Sequence, residues 1–387
     1  MLNERRLEMQ PLGLVVFGKG EAARIGRLVR DLGASTAFVV CDAGIAASGI
    51  LDTVRGSLEA EGLVVEVFGR VTPNPTTADI EAGSVALAEL DHSDTVVVAV
   101  GGGSSLDAAK GISLHAANPG PVENLDFRAE GLRDGFPVVA VPTTAGTGSE
   151  TNYFGVVTDP VKAKKFYVGH PSVRPKASVL DPLLTVGLPP NPTAATGMDA
   201  LVHALEALVS RNGNPYAEGL ALQVVRTVNR WLPGAVADGT DIEARSQMLL
   251  AAHVAGRAFG SGTGLGLCHA LAHSISARTG AAHGVALTVV LPPVLTFNLP
   301  ASTDKLALAA GSLDLSGGSD EKSALAAVSA IEGLGRGVVN ERTLSELGVT
   351  EAMIPTLVRD TLSDIVIGNT PRTPSGEEVR ELLAANL

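Results

Sequence analysis

The sequence is poor in cysteine, in aromatic residues and in positive charge. Its two cysteines, Cys41 and Cys268, form no CxxC pair. That excludes a disulfide-stapled scaffold and fits a reducing compartment. Aromatics make up 3% of the 387 residues, so the core has to be built from Ala, Val, Leu and Ile. The formal net charge is −12 and no dense run of Lys and Arg occurs. Nucleic acid and anionic membrane surfaces both require clustered positive charge, so neither is an expected partner. No stretch approaches the roughly 20 uninterrupted apolar residues of a membrane span. The opening MLNERRLEMQPLGLVVFGKG carries charges and lacks the apolar run of a secretory signal. A soluble, cytoplasmic chain is the expectation.

Hydrophobic residues are plentiful at 45%, against 18% charged, and glycine occurs 44 times. This is a globular composition, and the length calls for two domains. In the first half, short apolar runs alternate with helical patterns: GLVVFG (13–18), TAFVVCD (36–42), LVVEVFG (63–69), TVVVAVGGG (95–103) and FPVVAVPTT (136–144). Continuous β-branched runs separated by helices predict a parallel sheet covered on both faces, an α/β Rossmann-like domain. YFGVVTD (153–159) and KKFYVGH (164–170) read as an added hairpin, and SVLDP (178–182) closes this half. After the Pro-rich GLPPNP (187–192) the strand runs nearly vanish. Helical patterns follow at 192–211, 215–232, 241–258 and 264–279, with several shorter helices after 301. The expected organisation is an α/β dinucleotide-binding domain over 1–187 and an all-helical metal-binding domain over 188–387. DLSGGSD (314–320) is expected as an exposed loop.

Half of the eight histidines fall in two helical segments, TGMDALVHALE (196–206) and GLGLCHALAHSISARTGAAHG (264–284). Asp199 and His203 are spaced i, i+4 and project from one helix face, as do His269 and His273. His283 follows just beyond the second helix. A carboxylate with imidazoles suits a borderline divalent ion such as Fe2+ or Zn2+, and not Ca2+ or Mg2+, which prefer oxygen shells. Spacing alone leaves His269 and His273 interchangeable. His92, His115, His170 and His253 lack such partners and read as structural or surface residues.

VVVAVGGGSSLDAAKGISL (96–114) is a strand, a three-glycine turn and a helix. Glycines let the backbone approach a ligand, and the helix start presents N–H groups and a positive dipole end to a pyrophosphate. The pattern is neither GxGxxG nor a Walker loop. It also reads as a tight strand–helix turn with Ser as N-cap. Asp107 and Lys110 lie one turn into that helix as local partners. VPTTAGTGSE (141–150) is a second small, polar loop following a strand. Asp42 ends the second strand, where a carboxylate accepts from an adenosine ribose and repels a 2′-phosphate; a strand-terminal Asp is also a common turn residue.

Together these segments resemble the iron-containing (group III) alcohol dehydrogenase family. The carrying residues are GGGSSLDAAK (101–110), PTTAGTGSE (142–150), AATGMDALVHALE (194–206) and GLGLCHALAHSISARTGAAHG (264–284), with FGKG (17–20) and PNPT (73–76). The likeness runs from about residue 12 to NTPRTPSGEEVRELL near the C-terminus. It implies the dehydroquinate synthase-like architecture, with the active site between the two domains. It implies Asp199, His203, His269 and His283 as metal ligands, and His273 as the non-ligand histidine near the nicotinamide, in a catalytic, proton-handling role. NAD contacts would fall on Asp42, Gly101, Gly102, Gly103, Ser104, Asp107, Thr143, Thr144, Thr147, Ser149 and Lys165. Three features depart from the family pattern. Ser274 replaces a common Pro, AFGSGTGLGLCH (258–269) is one residue longer than the usual form, and Cys268 stands where an aliphatic residue is usual. They bear on specificity, for which Asn152, Phe154 and Phe259 are expected to line the pocket.

The implied reaction is reversible hydride transfer between a small alcohol and its aldehyde or ketone and NAD, with the metal polarising the substrate oxygen. The resemblance also implies a homodimer or larger homo-oligomer. The alternative on the same scaffold is a hydroxyacid–oxoacid transhydrogenase or another metal- and NAD-using enzyme. A lyase resembling 3-dehydroquinate synthase would need many basic residues for a phosphorylated substrate, and the site segments here are small and apolar apart from the ligands.

Overall fold

The computed structural model describes residues 13–315 and 317–387. Residues 1–12 of the expected first domain, with most of the charged opening stretch, lie outside the described residues. So does Ser316 of the expected loop. The chain divides into two compact units, Leu12–Leu188 and a second running from Pro189 to Leu387.

The α/β unit runs β1 (Leu14–Phe17), α1 (Ile25–Asp31), β2 (Thr36–Asp42), α2 (Ala43–Ala47), α3 (Ile50–Ala60), β3 (Val64–Val71), α4 (Thr77–Ala88), β4 (Thr95–Gly101), α5 (Gly103–Ala117), β5 (Val138–Pro142), β6 (Phe154–Asp159), β7 (Lys164–Gly169) and β8 (Ala177–Leu180). Six strands pair in parallel in the order β1-β8-β5-β4-β2-β3. The two-residue period explains why these runs need no polar face. Phe38, Val40, Val97, Ala99 and Ala140 enter one core with Ile80, Leu106 and Ile112 of α4 and α5. Their neighbours Ala37, Val39, Cys41, Val96, Val98 and Val139 enter the other with Ile25, Val29, Val54 and Leu58 of α1 and α3. Both faces are covered, which is the condition for continuous apolar strands.

From β2 the chain steps outward to β3, then returns to place β4 on the other side of β2. The order therefore reverses between β2 and β4, and the crevice outside their carboxyl ends is where such sheets bind ligands. β6 and β7 form the expected antiparallel hairpin as a separate sheet. β8 does not simply close the unit; it inserts between β1 and β5 and leaves β1 on the edge.

The second unit contains α6 (Pro190–Val209), α7 (Pro215–Ala237), α8 (Ile242–Ala258), α9 (Leu267–Thr279), α10 (His283–Ser312), α11 (Asp320–Val338), α12 (Ile354–Ser363) and α13 (Gly376–Ala384). Shorter helices follow 301, as expected; the reading omitted the helix before it, for α10 begins at His283 and kinks at Ser302 (φ −142). Pro292, Pro293 and Pro300 lie inside it, and internal prolines normally mark helix ends, so the sequence concealed it. By length and composition α10 is apolar enough to cross a membrane. Its Ala286, Leu287, Val290, Leu291 and Val294 are buried within the unit, as in a core helix. The start of α10 sits hard against α6: a Cβ on Gly284 would stand 2.0 Å from the Ala195 carbonyl oxygen. That close approach brings His283 to the helix that carries Asp199 and His203.

Candidate active site

In the helical unit, Asp199 and His203 point from one face of α6 and His269 comes from the first turn of α9. One potential ligand atom from each lies within 4.8 Å of the others, and all three residues are buried. Asp199 Oδ1 is 3.5 Å from His203 Nε2 and 3.6 Å from His269 Nε2. Asp199 Oδ1 and His269 Nε2 are buried and have no hydrogen-bond partner. Unsatisfied buried polar atoms are costly, and two facing each other just beyond hydrogen-bond range are the arrangement a cation relieves. Donor atoms each about 2.1 Å from one ion stand roughly 3 to 3.5 Å apart, so the residues fit the group. Burial alone would raise the Asp199 carboxyl, but the His203 and His269 rings hold it below its ordinary value.

His283 is not part of that tight trio. It is the first residue of α10, with its ring centroid 5.4 Å from His269 and 5.2 Å from His273, stacked on the latter. Gly280 adopts φ 74 and ends α9, the left-handed cap that lets the chain turn toward His283. Phe259, expected to line the pocket, is buried with its ring 4.8 Å from His203. The stretch that reads one residue longer than the usual form is a wide turn at Phe259–Thr263, with Gly262 at φ 91. Cys268 is buried, and burial followed by the nearby Glu206 and Asp199 pushes its thiol well up, which leaves it inert as a nucleophile.

Two carboxylates that sequence reasoning assigned no role are built into this site. Glu206 Oε2 accepts from His269 Nδ1 at 2.6 Å and from Gly266 N at 2.8 Å, while Oε1 accepts from Cys268 N at 2.6 Å. Burial pushes the Glu206 carboxyl up, but the His269 ring and these donors bring it below its ordinary value. Reciprocally, burial pushes His269 down and the Glu206 and Asp199 carboxylates raise it to about 9. Asp364 Oδ2 accepts from His273 Nδ1 at 2.8 Å. Asp199, His203 and Glu206 are spaced i, i+4, i+7, so a third residue on one helix face was a readable signal. Asp364 is remote in sequence and offered none.

In the α/β unit, the residues expected at the cofactor gather at the carboxyl ends of β2, β4 and β5. Gly101 has φ 140, and a Cβ there would stand 2.5 Å from Ser105 Oγ; one on Gly103 would stand 2.5 Å from Thr147 Cγ2. The turn is tight because the threonine loop packs directly on it. Gly102, not a serine, occupies the N-cap of α5, and no side chain caps that helix. Its first-turn N–H groups are thus left to a ligand, as pyrophosphate binding requires. Asp42 Oδ1 caps α2 through Ile45 N and Oδ2 accepts from Ser105 Oγ, which places its carboxylate at the switch point. Thr143 is buried, while Thr144 and Thr147 are partly open. Lys165 Nζ donates to Asn74 Oδ1 at 2.8 Å, and Asn74 N donates to Ser104 Oγ at 3.2 Å. Asn74 sits at φ 53, a region Asn tolerates. The PNPT loop therefore couples the hairpin to the glycine turn.

One expectation needs correction here. Lys110 is not chiefly a partner of Asp107, whose carboxylate is 3.7 Å away. Lys110 Nζ instead donates to Ser149 O, Ser149 Oγ, Asn152 Oδ1 and Phe154 O at 2.6–2.9 Å. Asp107 accepts from Ser149 Oγ and Val156 N. Asn152 is buried and its carbonyl oxygen is engaged by Lys110 and Phe154 N, so it braces the loop. Phe154 packs against Tyr153, Tyr167 and Phe127.

A strand-end cradle on one unit and a buried carboxylate–imidazole cluster on the other define a candidate metal-assisted dinucleotide enzyme. Comparison with known proteins makes the class specific. Residues 13–182 match the family profile described as iron-containing alcohol dehydrogenase, and residues 193–387 match that of the Fe-containing alcohol dehydrogenase family, C-terminal. The chain is 35% identical over 370 residues to the NAD-dependent methanol dehydrogenase of Bacillus methanolicus, covering 95% of this chain and 96% of that one. It is 36% identical over 371 residues to the 1,3-propanediol dehydrogenase of Citrobacter freundii, covering 95% of each. Its structure is similar to the crystal structure of a 1,3-propanediol oxidoreductase with a TM-score of 0.94 and 33% identity, covering 99% of this chain and 100% of that one. The chain belongs to the iron-containing alcohol dehydrogenase family.

Proposed function

We propose that this protein is an NAD- and metal-dependent alcohol dehydrogenase acting on a small alcohol and its aldehyde or ketone, with Asp199, His203, His269 and His283 holding Fe2+ or Zn2+. The observation that carries it is the buried pair Asp199 Oδ1 and His269 Nε2, 3.6 Å apart with no hydrogen-bond partner. When bound, the ion supplies Lewis acidity toward the alcohol oxygen and the dinucleotide accepts the hydride. Asp42, the 101–104 turn, Asp107, Thr143, Thr144, Thr147, Ser149 and Lys165 serve the cofactor, some directly and Asp107 and Ser149 through the loop they tie down. Asp364 pairs with His273 Nδ1 at 2.8 Å and orients that ring, the group to which this reading gives the substrate proton. Burial pushes the Asp364 carboxyl up, but its hydrogen bond to His273 brings it below its ordinary value. Cytoplasmic location and assembly as a homodimer or larger homo-oligomer go with this reading; the two buried free thiols, Cys41 and Cys268, fit a reducing compartment.

The test is a panel of primary and secondary alcohols with NAD, on protein reconstituted with Fe2+ or Zn2+. Net NADH formation is expected. No net NADH, with the alcohol oxidised only as a second carbonyl compound is reduced in equal amount, would make the protein a transhydrogenase instead.

A further inference from the structure

We infer that Glu206 is a positioning residue that fixes which ring nitrogen of His269 is offered to the metal, an assignment that rests on the metal reading above. Glu206 is buried at 6% exposure, and its carboxylate meets only donors. Oε2 takes the Nδ1–H of His269 and the Gly266 N–H; Oε1 takes the Cys268 N–H and, at 3.4 Å, the His269 N–H. An ionised carboxylate accepts only, so the proton in the 2.6 Å contact belongs to Nδ1. In the neutral ring that a metal ligand requires, Nε2 is then the nitrogen with the free lone pair, and it is the atom aimed at Asp199 Oδ1.

The same carboxylate also builds the platform for that ring. α9 starts at Leu267 without a local side-chain cap, because Gly266 occupies its N-cap. Glu206 reaches across from α6 to satisfy the first N–H groups of α9, and its charge lies at the positive end of that helix. The approach depends on glycine: a Cβ on Gly266 would stand 3.1 Å from Glu206 Oε1. One side chain thereby sets where the first turn of α9 begins, how the His269 ring is rotated and which tautomer it holds. Partners of this kind typically change metal affinity 10–100-fold when removed.

Glu206→Gln is the informative substitution. A glutamine has one oxygen for two sets of donors, so its NH2 must face either the backbone N–H groups or His269 Nδ1. Chelator competition with Zn2+ and the visible spectrum of the Co2+-loaded chain are the measurements. Affinity for Zn2+ is expected to fall about 10–100-fold with a changed Co2+ spectrum. Far-UV circular dichroism, to which the helices of the unit carrying Glu206 contribute strongly, should be unaltered and reports that the variant is folded. Unchanged Zn2+ affinity and Co2+ spectrum overturn the assignment of Glu206 and leave the metal site standing. If the unmutated chain binds neither ion, the metal reading and this inference fall together. Should Glu206→Gln not fold, histidine 15N NMR on the unmutated, Zn2+-loaded chain decides. A ring with Nδ1 protonated and Nε2 on the metal, absent in His269→Ala, supports the inference. A His269 ring protonated at Nε2 overturns it.

Discussion

Lys110→Met tests how the α/β unit holds its cofactor loop. The Lys110 side chain is 1% exposed, and its ammonium ties Ser149, Asn152 and the start of β6 to α5 through four oxygen acceptors. Methionine has similar bulk and no donor. Stranding Ser149 O and Phe154 O costs about 1–3 kcal/mol each, and Ser149 Oγ and Asn152 Oδ1 lose a charged donor while keeping Asp107 and Phe154 N as partners. Against this, burial pushes Lys110 down to about 8 from its ordinary 10.5. At about 1.4 kcal/mol per pKa unit, keeping it charged in the fold costs on the order of 3 kcal/mol, which methionine relieves. The net expectation at pH 7 is destabilisation of roughly 3 kcal/mol, within the range for breaking a buried charged network. The sign of the pH dependence follows from the lowered value. In the unfolded chain Lys110 keeps its proton to higher pH than in the fold, so its penalty is fully present below about 8 and fades toward 10.5. The stability gap between wild type and Lys110→Met should therefore widen with rising pH across that window. Urea unfolding of both proteins at neutral pH and near pH 10 measures it. A gap that is absent at neutral pH, or that stays flat across the window, refutes the reasoning.

Two further substitutions probe the two halves of the site. Gly284→Ala places a methyl 2.0 Å from the Ala195 carbonyl oxygen, so it should push the start of α10 off α6. Overpacking of this kind costs about 1–3 kcal/mol, and metal retained after dialysis should drop with it; full retention would show that His283 is not held by this contact. Asp42→Ala removes the carboxylate that caps α2, at about 1 kcal/mol, and should raise kcat/KM with NADP relative to NAD. An unchanged cofactor ratio, or a wild type that already prefers NADP, contradicts the role given to Asp42.

Much of this was legible because local chemistry and global structure agree. TVVVAVG can be buried on both faces only in a covered parallel sheet, and the glycines after it mark where the backbone must crowd Thr144 and Thr147. DALVHALE puts Asp199 and His203 on one helix face by spacing alone. The choice between His269 and His273 was not legible locally, because it depends on which ring Glu206 grips and which Asp364 grips, contacts across 63 and 91 residues. Lys110 was misread for the same reason, since its acceptors lie 39–44 residues away. The helix α10 was hidden by prolines that ordinarily end helices, here accommodated in a long buried element.

The central claim is that Asp199, His203, His269 and His283 hold the ion on which dehydrogenation depends. Metal content after dialysis and NADH formation from alcohol, measured together on wild type and His269→Ala, test it most directly. Wild type should retain the ion and form NADH, and His269→Ala should lose both. Full turnover by a metal-free His269→Ala protein would contradict the account.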